Sequence, residues 1–166
     1  MAEVEWKGAI WRAAYGDLSV KELLTILKGF GPMETLEFEK VGFSRGQISI
    51  SLSSEGLKQV TLYYLEVFSD KKQGAGRATL QWLNKIFKGK LYVEDPGVIH
   101  VKNADDESLL FWIKMYREGL IEALDNERCP LHAGMSEVEI DKAEESIRAK
   151  LDRALDLSRK ISSCTP

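Results

Sequence analysis

Between residues 36 and 88 the hydrophobic period of this chain changes once, and the change falls at a glycine loop. Between residues 36 and 68 apolar residues alternate with polar ones, and from residue 76 they recur at helical spacing. Residues 36–43 set Leu36, Phe38 and Val41 among charged neighbours, and Ser44-Arg45-Gly46 reads as a turn. Residues 47–53 alternate Ile48, Ile50 and Leu52 with Gln and Ser. After a turn at residues 53–56, residues 59–68 mix Val, Thr, Tyr and Leu, the composition of a central strand covered on both faces. These three runs predict an antiparallel meander.

Beyond the loop, residues 76–88 predict a helix with Leu80, Leu83, Ile86 and Phe87 on its core face and Gly89 just past its end. Residues 90–94 and 98–101 are strand-like and separated by Asp95-Pro96-Gly97. Asp105 or Asp106 caps a helix reaching Glu118, with Leu109, Leu110, Ile113 and Tyr116, and residues 120–124 form a short strand. A meander followed by β–α–β–α–β predicts an α/β (α+β) fold: a mixed, mostly antiparallel central sheet flanked by helices.

The flanking segments are simpler. Residues 6–14 predict a strand with Ala9, Trp11 and Ala13 on one face. Ser19 and Glu22 form a capping box, with Leu18 and Leu23 as its staple, ahead of a helix that ends at Gly29 and Gly31-Pro32. Residues 125–135 are polar and irregular, a linker. A second capping box, Ser136 with Glu139, opens an amphipathic helix whose stripe is Ile140, Ala143, Ile147, Leu151, Ala154, Leu155 and Ile161. The expected division is a core over residues 1–125 and a linker with C-terminal helix over residues 126–166. That stripe has three uses: packing on its own domain, covering a substrate cleft, or forming a homodimer.

Composition excludes classes without choosing a function. At 166 residues the chain is one domain in size, and a formal charge of −3 offers no footprint for duplex nucleic acid. The acidic start Met1-Ala2-Glu3-Val4-Glu5 is unlike a signal peptide, and no apolar run approaches the roughly 20 residues of a membrane span. The expectation is a cytoplasmic protein with no membrane partner. Cys129 and Cys164 lack metal-ligand spacing, and Cys129 with His132 would supply two ligands of the usual four. No metal is expected.

One constellation points to a ligand. Lys71-Lys72-Gln73-Gly74-Ala75-Gly76-Arg77-Ala78 lies between the longest strand run and an amphipathic helix. Glycines there let the backbone turn tightly and aim N–H groups at an anion, where the positive end of the helix dipole adds to them. Lys71, Lys72 and Arg77 supply positive charge. A Walker loop is absent, and Thr79 stands where a Rossmann fingerprint needs its third glycine.

The loop resembles the R/Q-x-x-G-x-G/A motif of the GCN5-related N-acetyltransferases. Gly74 and Gly76 match it, and Lys71 replaces the usual Arg or Gln. The order of elements over residues 6–124 is similar to that family as well. Lys114-Met115-Tyr116-Arg117-Glu118-Gly119-Leu120 resembles its Y-x-K-x-G-F region with a small gap. The resemblance implies an acetyltransferase-like fold and acetyl-CoA as cosubstrate. It implies a pyrophosphate cradled by Lys71, Lys72, Gln73, Gly74, Ala75, Gly76 and Arg77. It also implies a pantetheine arm along the backbone of Leu65, Glu66 and Val67, and direct attack by a primary amine, from a small molecule or a protein. Glu66 is then the base that takes the amine's proton, or simply an outward residue of its strand. Tyr116 is the acid that protonates the departing thiolate, or a core aromatic. Asn103 contacts the cofactor arm or caps the following helix. The same resemblance admits a catalytically inactive binding or inhibitor protein. His100, Glu94 and Asp95 are polar residues near the fifth strand with structural explanations as good as catalytic ones.

Overall fold

The computed structural model describes residues 9–13, 16–28, 34–52, 58–68, 74–87, 91–94 and 106–163. Among these residues seven strands form one sheet in the order β2-β1-β3-β4-β5-β6-β7. The strands are β1 (Ala9–Ala13), β2 (Gly16–Leu18), β3 (Glu34–Lys40), β4 (Ser44–Leu52), β5 (Lys58–Val67), β6 (Leu91–Glu94) and β7 (Ile121–Asp125). Pairing is antiparallel from β2 through to β5 and parallel from β5 to β6 and β7. The helices are α1 (Val20–Lys28), α2 (Ala75–Phe87), α3 (Asp106–Arg117) and α4 (Glu137–Ser163). The expected mixed, mostly antiparallel sheet is therefore present. The second strand-like run after the loop, residues 98–101, lies outside the described residues.

Register divides the sheet into two chemically different faces. Trp11, Phe38, Leu36, Ile48, Ile50, Val60 and Leu62 share one face with Leu91, Val93, Ile121 and Leu124. All of these are buried in a single core, together with Leu23 of α1, Leu80 and Leu83 of α2, Ile113 of α3 and Ile147 of α4. Two parallel strand–helix–strand crossovers, if right-handed as such units are, place α2 and α3 on the same side. The Ser44 hydroxyl bonds the Thr79 hydroxyl at 2.8 Å, and Thr79 donates in turn to the Ala75 carbonyl, which pins α2 to this face. The opposite face carries Arg12, Glu37, Arg45, Gln47, Tyr64 and Glu66, a one-sided alternation typical of antiparallel strands. The expectation that β5 is covered on both faces holds at its centre, where Val60, Thr61 and Leu62 are all buried, although the second face is the polar one.

Two local expectations change. Ser44-Arg45-Gly46 is not a turn but the start of β4; the reversal is at residues 41–43, where Gly42 adopts a φ of 73°. Gly46 instead lets strands close up, since a Cβ there would stand 2.7 Å from Phe38 Cζ. The hairpin partner β2 is the second addition, only three residues long.

Both capping boxes form. Glu22 N–H donates to Ser19 Oγ at 3.2 Å and Ser19 N–H to Glu22 Oε2 at 2.8 Å, which lowers the carboxyl pKa through the backbone bond first. Ser136 and Glu139 repeat the arrangement at the start of α4. Residues 126–135 pack onto the core: Asn126 Oδ1 accepts from the N–H groups of Arg128 and Cys129, Leu131 bridges to Leu124, and Cys129 and Leu131 are buried. Burial raises the Cys129 thiol pKa, with Lys150 opposing it weakly, so this cysteine is a core residue. Among the described residues no helix is long and apolar enough to cross a membrane.

Candidate functional site

The parallel pair β5/β6 is where the sheet opens. Val60, Thr61 and Leu62 pair with Leu91, Tyr92 and Val93, and β5 then continues to Val67 beyond that ladder. On its other side β5 stays paired with β4 as far as Val67 opposite Ser44. The described β5/β6 ladder therefore ends at Leu62, five residues before the end of β5. An extra residue sits at this point. Gln47 pairs with Tyr64 and Ile48 with Leu62, which leaves Tyr63 as a bulge. The bulge reverses the alternation beyond it: Leu65 and Val67 stay on the core face, and Tyr64 and Glu66 turn to the polar one.

On that polar face three side chains share one carboxylate oxygen. Glu66 Oε2 accepts from Arg45 Nε at 2.6 Å and from the Tyr64 hydroxyl at 2.5 Å, while Arg45 Nε also approaches Tyr64 Oη at 3.0 Å. Burial, and then the bond to Glu66, raises the Tyr64 pKa, so its phenol stays protonated at ordinary pH. The Arg45 guanidinium pKa is raised mainly by the bond to Glu66 and it lies over the Phe68 ring at 5.6 Å. Tyr63 accepts from Ser49 Oγ at 3.0 Å. Tyr92 of β6 has a raised pKa too, from burial first and then from bonding to Asp125. Sequence reading missed Tyr64 and Arg45. The Tyr-x-Glu spacing on a strand was available, but Arg45 had been placed in a turn.

The glycine loop is described only from Gly74. Lys71, Lys72, Gln73 and Asn103, with Asp95 and His100, lie outside the described residues. Gly74 has a φ of 73°, which favours glycine, and its carbonyl accepts the Ala78 N–H at 3.0 Å as the N-cap of α2. A glycine N-cap brings no side-chain oxygen to the first-turn N–H groups of Ala75, Gly76 and Arg77. Gly76 faces protein: a Cβ there would meet Phe111 Cζ of α3 at 2.9 Å. Arg77 Nη2 donates to Glu118 Oε1 at 2.8 Å, and its buried Nε finds no acceptor among the described residues.

Tyr116 lies in the last turn of α3, and its hydroxyl donates to the His132 carbonyl at 2.6 Å. Glu66 points to the polar face, whereas α3 packs on the apolar one. The two catalytic candidates are thus not brought together on one surface. Glu94 is exposed at the end of β6.

Comparison with protein-family models, with curated proteins and with solved structures finds no significant match to this chain.

Proposed function

We propose that this protein is an acetyl-CoA-dependent N-acetyltransferase acting on a primary amine. The observation that carries the reading is where β5 outruns β6: the described ladder ends at Leu62 with Val93, while the edge of β5 runs on to Val67, ahead of the glycine-capped N-terminus of α2. An amide-bearing arm such as pantetheine can add to such an edge as a strand would. A pyrophosphate at the end of that arm would meet the first turn of α2, whose N–H groups and dipole favour anions. The leftover Arg77 Nε donor beside that turn fits an anion. Lys71 and Lys72 would add charge there.

With acetyl-CoA in the opening, the acceptor nitrogen forms its bond to the acetyl carbon as the carbon–sulfur bond breaks. The amine's proton passes to Glu66, directly or through one water, and the thiolate leaves with a proton from Tyr116 or solvent. For these steps Glu66 must take a proton while its Oε2 is held by Arg45 and Tyr64, and Tyr116 must release the His132 carbonyl. Those occupied side chains favour a second reading, a cofactor-binding domain without turnover.

Titration calorimetry with acetyl-CoA, paired with an acetylation assay on simple amines, separates the readings. An enzyme binds and turns over; a binding module binds alone; absence of binding at millimolar acetyl-CoA defeats both. Lys71→Glu with Lys72→Glu should weaken acetyl-CoA binding by about tenfold or more without lowering the melting temperature of the free protein. Unchanged affinity would remove the pyrophosphate assignment.

A further inference from the structure

The apolar stripe of α4 runs the length of the helix, but the structure covers only its first half. Ile140 and Ile147 are buried, and Ala143 and Leu151 pack partly against the core. Arg117 ties this half down by pairing with Glu137, Asp141 and Glu144. Every residue from 152 to 163 is exposed, with Leu155, Leu157 and Ile161 at 56%, 60% and 72%. Nevertheless the seven-residue step Ile140, Ile147, Ala154, Ile161 continues unbroken. A helix of about twelve residues in water is marginal without a packed face.

We infer that residues 151–161 of α4 pair antiparallel with the same segment of a second copy, about a two-fold axis near Asp156. The spacing of the apolar residues is symmetric about that position: Leu151 and Ile161 stand five residues either side, Ala154 and Ser158 two, Leu155 and Leu157 one. In an isologous antiparallel pair, residues equidistant from the axis come level with each other. Leu151 then layers with the partner's Ile161, and Ala154 with the partner's Ser158. Leu155 and Leu157, on the two shoulders, each face their own mate. Every exposed apolar side chain of the half is covered, and the seam continues the one that α4 already makes with its own domain.

The symmetric apolar spacing, more than charge, favours a second copy over other occupants. Asp152 and the partner's Arg159 lie on one shoulder within one residue of level, giving two reciprocal ion pairs; Arg153 and the partner's Lys160 fall together on the other. These contributions largely cancel, leaving the apolar layers to hold the pair. Residues 152–163 carry three basic and two acidic side chains, too little surplus for an anionic lipid surface. The seam is small, so dimers should form in the micromolar range.

Sedimentation equilibrium of the full chain up to about 100 µM should show a reversible monomer–dimer equilibrium. Leu155→Asp with Ile161→Asp should shift dissociation at least tenfold toward monomer while leaving the circular dichroism of the body unchanged. In a Cys164→Ser background, Leu155→Cys should oxidise to a cross-linked dimer and Asp156→Cys, on the outer face, should not. A monomer at every concentration overturns the inference, whether or not the chain sediments with vesicles. So does a dimer that the double substitution leaves intact.

Discussion

Glu66 has two donors competing for one carboxylate oxygen, and that contest decides what it can do. Arg45 and Tyr64 hold it on the polar face, and in return Glu66 helps to keep the Tyr64 phenol protonated. A tyrosine whose folded pKa is raised stabilises the fold fully below its unfolded value, near 10, and loses that contribution as pH rises through the folded value. Phenolate absorbance should therefore show Tyr64 titrating late, and Glu66→Gln should bring its pKa down part of the way, because burial remains. No change in the titration curve would place Tyr64 and Glu66 apart. In the acetylation assay the same substitution should lower kcat by about 100-fold or more if Glu66 takes the proton. A variant with full activity would reduce Glu66 to a strand residue. Plain alternation from Val60 and Leu62 would set Glu66 on the core face. A bulge has no sequence mark, so the side on which this carboxylate stands could not be read from spacing.

The first helix after the loop is held by what its glycines approach, not only by its apolar stripe. Gly76 admits Phe111 of α3, and Asn84 Nδ2 donates to the Leu120 carbonyl at 2.8 Å, so α2 is fastened to α3 and to the segment just beyond it. Gly76→Leu should destabilise the free protein by about 1–3 kcal/mol through overpacking, and Phe111→Ala should relieve most of that cost in a double-mutant cycle. Additive effects would mean that the two residues are not in contact. At this scale much was legible. Ser19 with Glu22 and Ser136 with Glu139 mark helix starts that the backbone adopts, and the stripes of α2, α3 and the first half of α4 mark their buried faces. The turn between β3 and β4 was misplaced because Gly42 and Gly46 lie four residues apart, and either can serve a reversal or a close approach. Only the packing of Phe38 over Gly46 separates the two uses. The three residues of β2 are too few for a period to show.

Among the described residues, one apolar sheet face carries the helices and the core, and the Arg45–Tyr64–Glu66 cluster lies on the other face of β4 and β5, just before the parallel half of the sheet begins. The change from antiparallel to parallel at β5 follows from the change of hydrophobic period at the loop, which is why the order of elements could be read. The edge of β5 beyond the described β5/β6 ladder could not, because it depends on where a ladder stops, and that is a matter of register between strands distant in sequence. The acetyl-transfer account rests on this edge. Amide hydrogen exchange with and without saturating acetyl-CoA tests it most directly. The account predicts slowed exchange confined to residues 63–67 of β5 and the first turn of α2 at Ala75, Gly76 and Arg77. Protection elsewhere, with those amides exchanging at their free rate, would contradict it.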